Sequence, residues 1–228
     1  MNFSELEKEL SLVFKNKEIL KTAFVHRSFL NENHDYTLSS NERLEFLGDA
    51  VLEFIVSKFL YEHFTEKKEG DLTAFRSALV CTETLSKISL KLGFGKYLFL
   101  SKGEEATGGR ERPYILANTF EAFLGAIFLD SGIVKARDFV KRFLLPELNA
   151  IISNGSFKDA KSRLQEIAQE KVNVTPHYEV LSEEGPDHDK CFLVGVFLAN
   201  KKIAEGRGKS KQKAEQESAI NALKKWSA

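Results

Sequence analysis

The sequence predicts a mainly α protein in two parts: an all-α first domain over residues 1–152, a linker over 153–158, and a small α-β-β-β-α domain over 159–228. Three observations carry this. Before residue 175 aliphatic and aromatic side chains recur at i, i+3 and i+4 with almost no period-2 alternation, the pattern of helices that bury one face. After it, "HYEVLSE" and "CFLVGVFLAN" alternate or run apolar as strands do, joined by the turn-forming "EGPDHDK". Between the two regimes, "ISNGSFKDA" is small and polar with a Gly, as linkers are.

In order, the periodicity predicts helices over 4–14, 17–24, 41–63, 70–92, 114–129 and 134–152. "DAKSRLQEIAQEK", 159–171, follows as an amphipathic helix with Asp159 as its N-cap. After the two strands, Lys201 and Lys202 turn the chain into a third strand, 203–207, and a final helix opens at Ser210. Both helices of this module should pack on one face of its antiparallel sheet.

Composition narrows the function. A hydrophobic content of 43% with 29% charged residues suits a globular protein with its own core. The start, "MNFSELEKEL", is charged and helical in pattern, unlike a signal peptide. No apolar run approaches membrane-spanning length, so a soluble protein with no membrane partner is expected. Cys81 and Cys191 match no zinc or redox spacing, which suits a reducing cytoplasm. Net charge is zero, so bulk charge carries no nucleic-acid signal, and any such case rests on placement. Residues 206–213, "GRGKSKQK", hold four basic residues and no acid.

"NERLEFLGDAVLEF", 41–54, raises a question about charge. As a helix it stacks Glu42, Glu45, Asp49 and Glu53 in one stripe with no Lys between them. Like charges one turn apart each cost roughly 0.2–0.5 kcal/mol, so something outside the stretch should relieve them. A solvated acidic face is the ordinary explanation. Against it stands "RPYILANTFEAFLGAIFLD", where Glu121 is the one charged residue between Arg112 and Asp130, among Phe and Leu. An ionised carboxylate there needs a partner. Asn118 lies one turn before it, a second oxygen ligand on the same face. Glu45, Asp49, Asn118 and Glu121 together suggest a hard-cation site for Mg²⁺ or Mn²⁺, suited to phosphoryl chemistry. Without His or Cys in the set, zinc is disfavoured. In "KKEGDL", Asp71 fits a helix cap, and Glu69 stays open.

These residues carry a resemblance. "NERLEFLGDAVL" closely matches the signature motif of ribonuclease III, the double-stranded-RNA endonuclease family, and "EGDLTAFRSALV" and "ANTFEAFLGAIFLD" match its other acidic segments in order. The C-terminal module, including "GRGKSKQKAEQESA", resembles a double-stranded-RNA-binding domain, so the chain is most like the bacterial two-domain form. The resemblance implies that Glu45, Asp49 and Glu121 are metal and catalytic carboxylates and that Glu42 and Glu69 support them. The family usually has Asp where this chain has Asn118; an amide oxygen still ligates Mg²⁺, with one negative charge fewer. The resemblance also implies a homodimer cutting opposite strands, with water as attacker and 5′-phosphate and 3′-hydroxyl products, in rRNA and mRNA processing. The runner-up is a catalytically weak double-stranded-RNA-binding protein, made conceivable by Asn118.

On the same template Gln165 and Glu166 face one minor groove and His188 reaches the next, with Lys209 and Lys211 on phosphates and Lys213 compensating for Gln212. A solvated helix start and an ordinary turn histidine are the plain alternatives. "GEEATGGRERP", 103–113, has P-loop-like Gly spacing but lacks the Lys-Ser/Thr that phosphate binding requires. No nucleotide cofactor is expected, and the stretch reads as a flexible loop near the RNA.

Overall fold

Local sequence explains where each element starts and stops. The computed structural model describes residues 2–154, 160–186 and 190–226; the predicted linker beyond residue 154 and His188 lie outside them. By contact the chain divides into two compact units, 1–157 and 158–228. The first holds α1 (Phe3–Leu10), α2 (Lys17–Thr22), α3 (Arg27–Glu32), α4 (Glu42–His63), α5 (Glu69–Leu79), α6 (Thr82–Lys91), α7 (Lys102–Ala106), α8 (Pro113–Phe143) and α9 (Glu147–Asn154).

Several predicted boundaries move, each for a local reason. The helix expected over 4–14 ends at Leu10, because Ser11 turns into the left-handed region at φ 55. Buried Glu7 then ties the following chain down, accepting the Phe14 N–H at 2.7 Å and pairing with Lys17 at 2.6 Å. The helix expected over 70–92 is two, α5 and α6, broken at Val80 and the extended Cys81. There Thr84 Oγ1 donates to the Ala78 carbonyl at 2.8 Å, a hydroxyl competing with the helical ladder. The segments predicted over 114–129 and 134–152 meet in α8, which passes through a non-helical Gly132 (φ 81, ψ 176). Pro146, which cannot extend a helix, separates α8 from α9. α3 and α7 were not foreseen.

α8 crosses α4 at the centre of this unit. By length and composition α8 is apolar enough to cross a membrane, which corrects the expectation that no run approaches that length. Its apolarity is used inside the fold, where Ile115, Leu116, Phe120, Phe123, Leu124 and Ile127 are buried. Phe24 packs against Phe94 and Phe123 at ring separations of 5.4 and 5.8 Å, so the abundant Phe builds the interior.

The second unit holds α10 (Ala160–Val172), β1 (His177–Glu184), β2 (Cys191–Leu198), β3 (Lys201–Gly208) and α11 (Lys211–Trp226), the predicted α-β-β-β-α order. The sheet is antiparallel in the order β1-β2-β3. α11 packs on β3 and β2, and α10 on α11, around Leu164, Val196, Ala204, Ala219 and Ala222. The "GRGKSKQKAEQESA" stretch is small at the contact for a reason: a Cβ on Gly206 would strike the α11 backbone at Ser218 and Ala214.

Candidate active site and nucleic-acid surface

Two glycines set the site. Where α4 crosses α8, a Cβ on Gly48 would collide with the Glu121 carbonyl, and a Cβ on Gly125 with the Leu44 carbonyl. The two backbones touch there, which small residues alone permit. Gly48 lies between Glu45 and Asp49 on α4, and Gly125 lies one turn after Glu121 on α8, so the contact draws the acids of both helices together.

The electrostatics follow from that approach. Burial pushes the Glu121 carboxyl up to about 7, with the charges of Asp49 and Glu45 adding to the effect. Burial also raises Glu45, reinforced by Glu42 and Asp49 and opposed by a side-chain hydrogen bond with Asn118. The structure therefore brings Glu45, Asp49, Asn118 and Glu121 into one neighbourhood. Among the described residues no three His, Cys, Asp or Glu side chains converge as a closed metal-ligand set. The carboxylates are near enough to disfavour one another's charge but do not close on a common point.

The acidic stripe is relieved from outside α4, as its composition requires. Arg27 Nη1 stands 3.8 Å from Glu42, which also accepts from Ser40 Oγ at 2.8 Å. Arg76 stands 3.8 Å from Glu53 and donates to Ser57 Oγ at 3.0 Å. Glu42 and Glu45 line a cleft of about 390 Å³ with Asn118, His26 and Tyr114. Glu69 is not brought to this cluster by any described contact; it is exposed in the first turn of α5 and accepts from Thr73 at 3.1 Å. Asp71 is also a first-turn residue and not the cap, which is Lys68; an acid there still favours the helix dipole.

Sequence reasoning missed Gly48, Gly125, His26 and the segment 101–112. That segment is ordered, not a flexible loop: Arg110 donates to the Gly95 and Leu98 carbonyls at 2.8 and 3.0 Å. Arg112 donates to the Thr107 carbonyl at 2.9 Å and pairs with Glu104. These partners of Arg110 lie 15 and 12 residues before it and those of Arg112 eight and five, spacings that leave no periodic signature.

In the second unit Gln165 and Glu166 are exposed on α10, opposite Leu164 and Ala168, which face the core. Lys209, Lys211 and Lys213 are exposed around the α11 N-terminus, where Ser210 Oγ accepts the Lys213 N–H at 3.2 Å. Lys211 sits 3.2 Å from Glu183 and 5.6 Å over the Phe192 ring. Cationic side chains at a helix N-terminus are an arrangement that favours phosphate. Lys209→Ala with Lys211→Ala is expected to weaken duplex-RNA binding across sequences and flatten its log–log salt dependence by about one per lost contact. Binding isotherms at several salt concentrations check this, and an unchanged slope would remove these lysines from the surface.

Known proteins fit this geometry. Residues 16–148 match the family described as Ribonuclease-III-like, and residues 160–225 match the double-stranded RNA binding motif. Ribonuclease 3 of Oceanobacillus iheyensis is 45% identical over 226 residues, covering 98% of this chain and 97% of that protein. Ribonuclease 3 of Dehalococcoides mccartyi is 43% identical over 226 residues, covering 99% and 95%. The solved nuclease domain of ribonuclease III from Campylobacter jejuni, described for flexibility in a region involved in dimer formation, superposes with a TM-score of 0.59 at 39% identity. It covers 64% of this chain and 99% of its own. With the fold, both domain matches and near-full-length identity in agreement, the chain belongs to the ribonuclease III family, whose members are endoribonucleases acting on double-stranded RNA.

Proposed function

We propose that this chain is a cytoplasmic, Mg²⁺-dependent endoribonuclease of rRNA and mRNA processing that leaves 5′-phosphate and 3′-hydroxyl ends, with Mn²⁺ able to substitute. The observation that carries the metal reading is Glu121: a carboxyl pushed to about 7 by burial and by Asp49 and Glu45 is one whose charge a cation would restore. The donor set is all oxygen, which suits a hard ion. Glu45, Asp49, Asn118 and Glu121 would hold it. Bound there, it would supply positive charge against the phosphate's developing negative charge. Glu42 stands beside them in the cleft, a supporting acid that keeps the neighbourhood negative enough to favour a cation. Glu69 is assigned its supporting role on the resemblance alone.

The protein is proposed to act as a homodimer. Phe46, Phe54 and Tyr61 form an apolar stripe on α4 that is 81%, 59% and 74% exposed, and Phe54 lines a cleft with Ile133 and Val134 of α8. A face of that size left to water marks an interaction surface. It runs next to the acidic stripe, so pairing two copies there would set two sites near each other.

The test is cleavage of long duplex RNA as Mg²⁺ is titrated, with a chelator control. Asn118 gives it resolution. Its amide donates to Glu45, so its oxygen is what remains for the cation. Asn118→Asp is expected to lower the half-maximal Mg²⁺ concentration, because a charged ligand holds a hard ion more strongly. The same change should lower metal-free thermal stability by adding a like charge. Asn118→Leu should raise the half-maximal concentration sharply. Cutting in chelator, or both variants following the wild type, would overturn the assignment.

A further inference from the structure

The cleft beside the acids contains a polar group that the carboxylate site does not use. His26 is the N-cap of α3, in an extended conformation at φ −76 and ψ 144. Its backbone is anchored by its N–H donating to the Phe99 carbonyl at 3.1 Å. Its ring is anchored by Ser28, whose Oγ stands 2.8 Å from Nδ1 and whose N–H donates to Nδ1 at 3.3 Å.

The tautomer follows from Ser101. Nδ1 already accepts the Ser28 N–H, so it is Ser28 Oγ, itself accepting the Ser101 N–H at 3.1 Å, that donates its proton to Nδ1. With two donors directed at it, Nδ1 is an acceptor, and the ring proton sits on Nε2. An Nδ1 that accepts carries no proton, so the ring is neutral, and burial, ahead of the opposing charge of Glu104, holds its pKa below the usual value. Among the described residues Nε2 meets no hydrogen-bond partner, and the ring lines the cleft shared with Glu42, Glu45, Tyr114 and Asn118.

A neutral N–H held on three sides and left unpaired in a cleft is a preorganised donor. An RNA strand entering there approaches two carboxylates that repel phosphate, and a donor without net charge offers it a contact while leaving the negative field that attracts a cation intact. We propose that His26 Nε2–H donates to a sugar–phosphate oxygen of the bound strand, phosphate or 2′-hydroxyl, and so positions the strand beside Glu45. This rests on the proposed carboxylate site.

Two substitutions separate the ring's two nitrogens. His26→Asn keeps a short acceptor for the Ser28 N–H and the α3 cap but removes the distal donor. His26→Gln reaches the Nε2 position with an amide N–H. With duplex RNA at saturating Mg²⁺, His26→Asn should lower kcat/KM roughly tenfold, the scale of one hydrogen bond to RNA, and leave the half-maximal Mg²⁺ concentration unchanged. His26→Gln should recover most of that loss. Duplexes with a single 2′-deoxy or a single methylphosphonate position around the cut then identify the oxygen. At one such position the wild type should lose the same factor while His26→Asn loses nothing further.

The proposal is overturned if His26→Asn cuts like the wild type, if His26→Gln falls as far as His26→Asn, or if no modified position removes the difference between wild type and His26→Asn. Because the ratios are taken at saturating Mg²⁺, they are read separately from the carboxylate site, whose own failure would show as cutting in chelator.

Discussion

Glu121→Gln is expected to slow cleavage of duplex RNA on the order of a thousandfold or more while preserving RNA binding, since it deletes a charge at the proposed metal site and keeps shape and volume. Stability should move the other way. Glu121 titrates near 7 in the folded chain against an ordinary value of 4.5, so the folded state holds its proton over that window and the unfolded state does not. Without metal, the folded state therefore loses stability as pH rises from 4.5 to 7, and the full cost persists above 7. A shift of that size corresponds to at most ~3 kcal/mol, and less because the side chain is only partly buried. Gln carries no such cost. Metal-free Glu121→Gln should melt above the wild type at pH 8 and level with it below pH 4.5. Melting curves at the two pH values, alongside single-turnover cleavage, check both halves. A variant that cuts at the wild-type rate would sink the assigned site.

Gly48→Ala is expected to damage folding and chemistry together. The added methyl would meet the Glu121 carbonyl, a backbone atom that no rotamer change moves aside. Relief requires α4 and α8 to separate, at a cost on the order of 3 kcal/mol. Separation carries Glu45 and Asp49 away from Glu121. A displacement of roughly 1 Å at a reacting centre costs on the order of a hundredfold in rate. Denaturant titration and steady-state cleavage measure the two effects.

The sequence disclosed most where chemistry conflicted with environment. Four acids in one helix stripe without Lys, and one Glu among Phe and Leu, pointed to the candidate site because each departs from what folding alone would select. The helix–sheet order of the second unit was legible from its change of period. Features set by distant pairs were not. That Gly48 matches Gly125 depends on how two helices cross, and the two lie far apart in the chain. The Ser28–Ser101 hydrogen bond joins positions 73 apart, so the role of His26 had no local mark. The break between α5 and α6 was obscured because Thr84 replaces the helical ladder with a hydroxyl, leaving the apolar spacing undisturbed.

The claim that Glu45, Asp49, Asn118 and Glu121 hold a divalent cation is tested most directly by Mn²⁺ binding to the metal-free protein, read from the loss of the free-ion paramagnetic resonance signal. The wild type should remove Mn²⁺ from solution, Mg²⁺ should compete it off, and Glu121→Gln should weaken the binding by tenfold or more, since an unpaired ligand charge is lost. Equal Mn²⁺ binding by wild type and Glu121→Gln would contradict it.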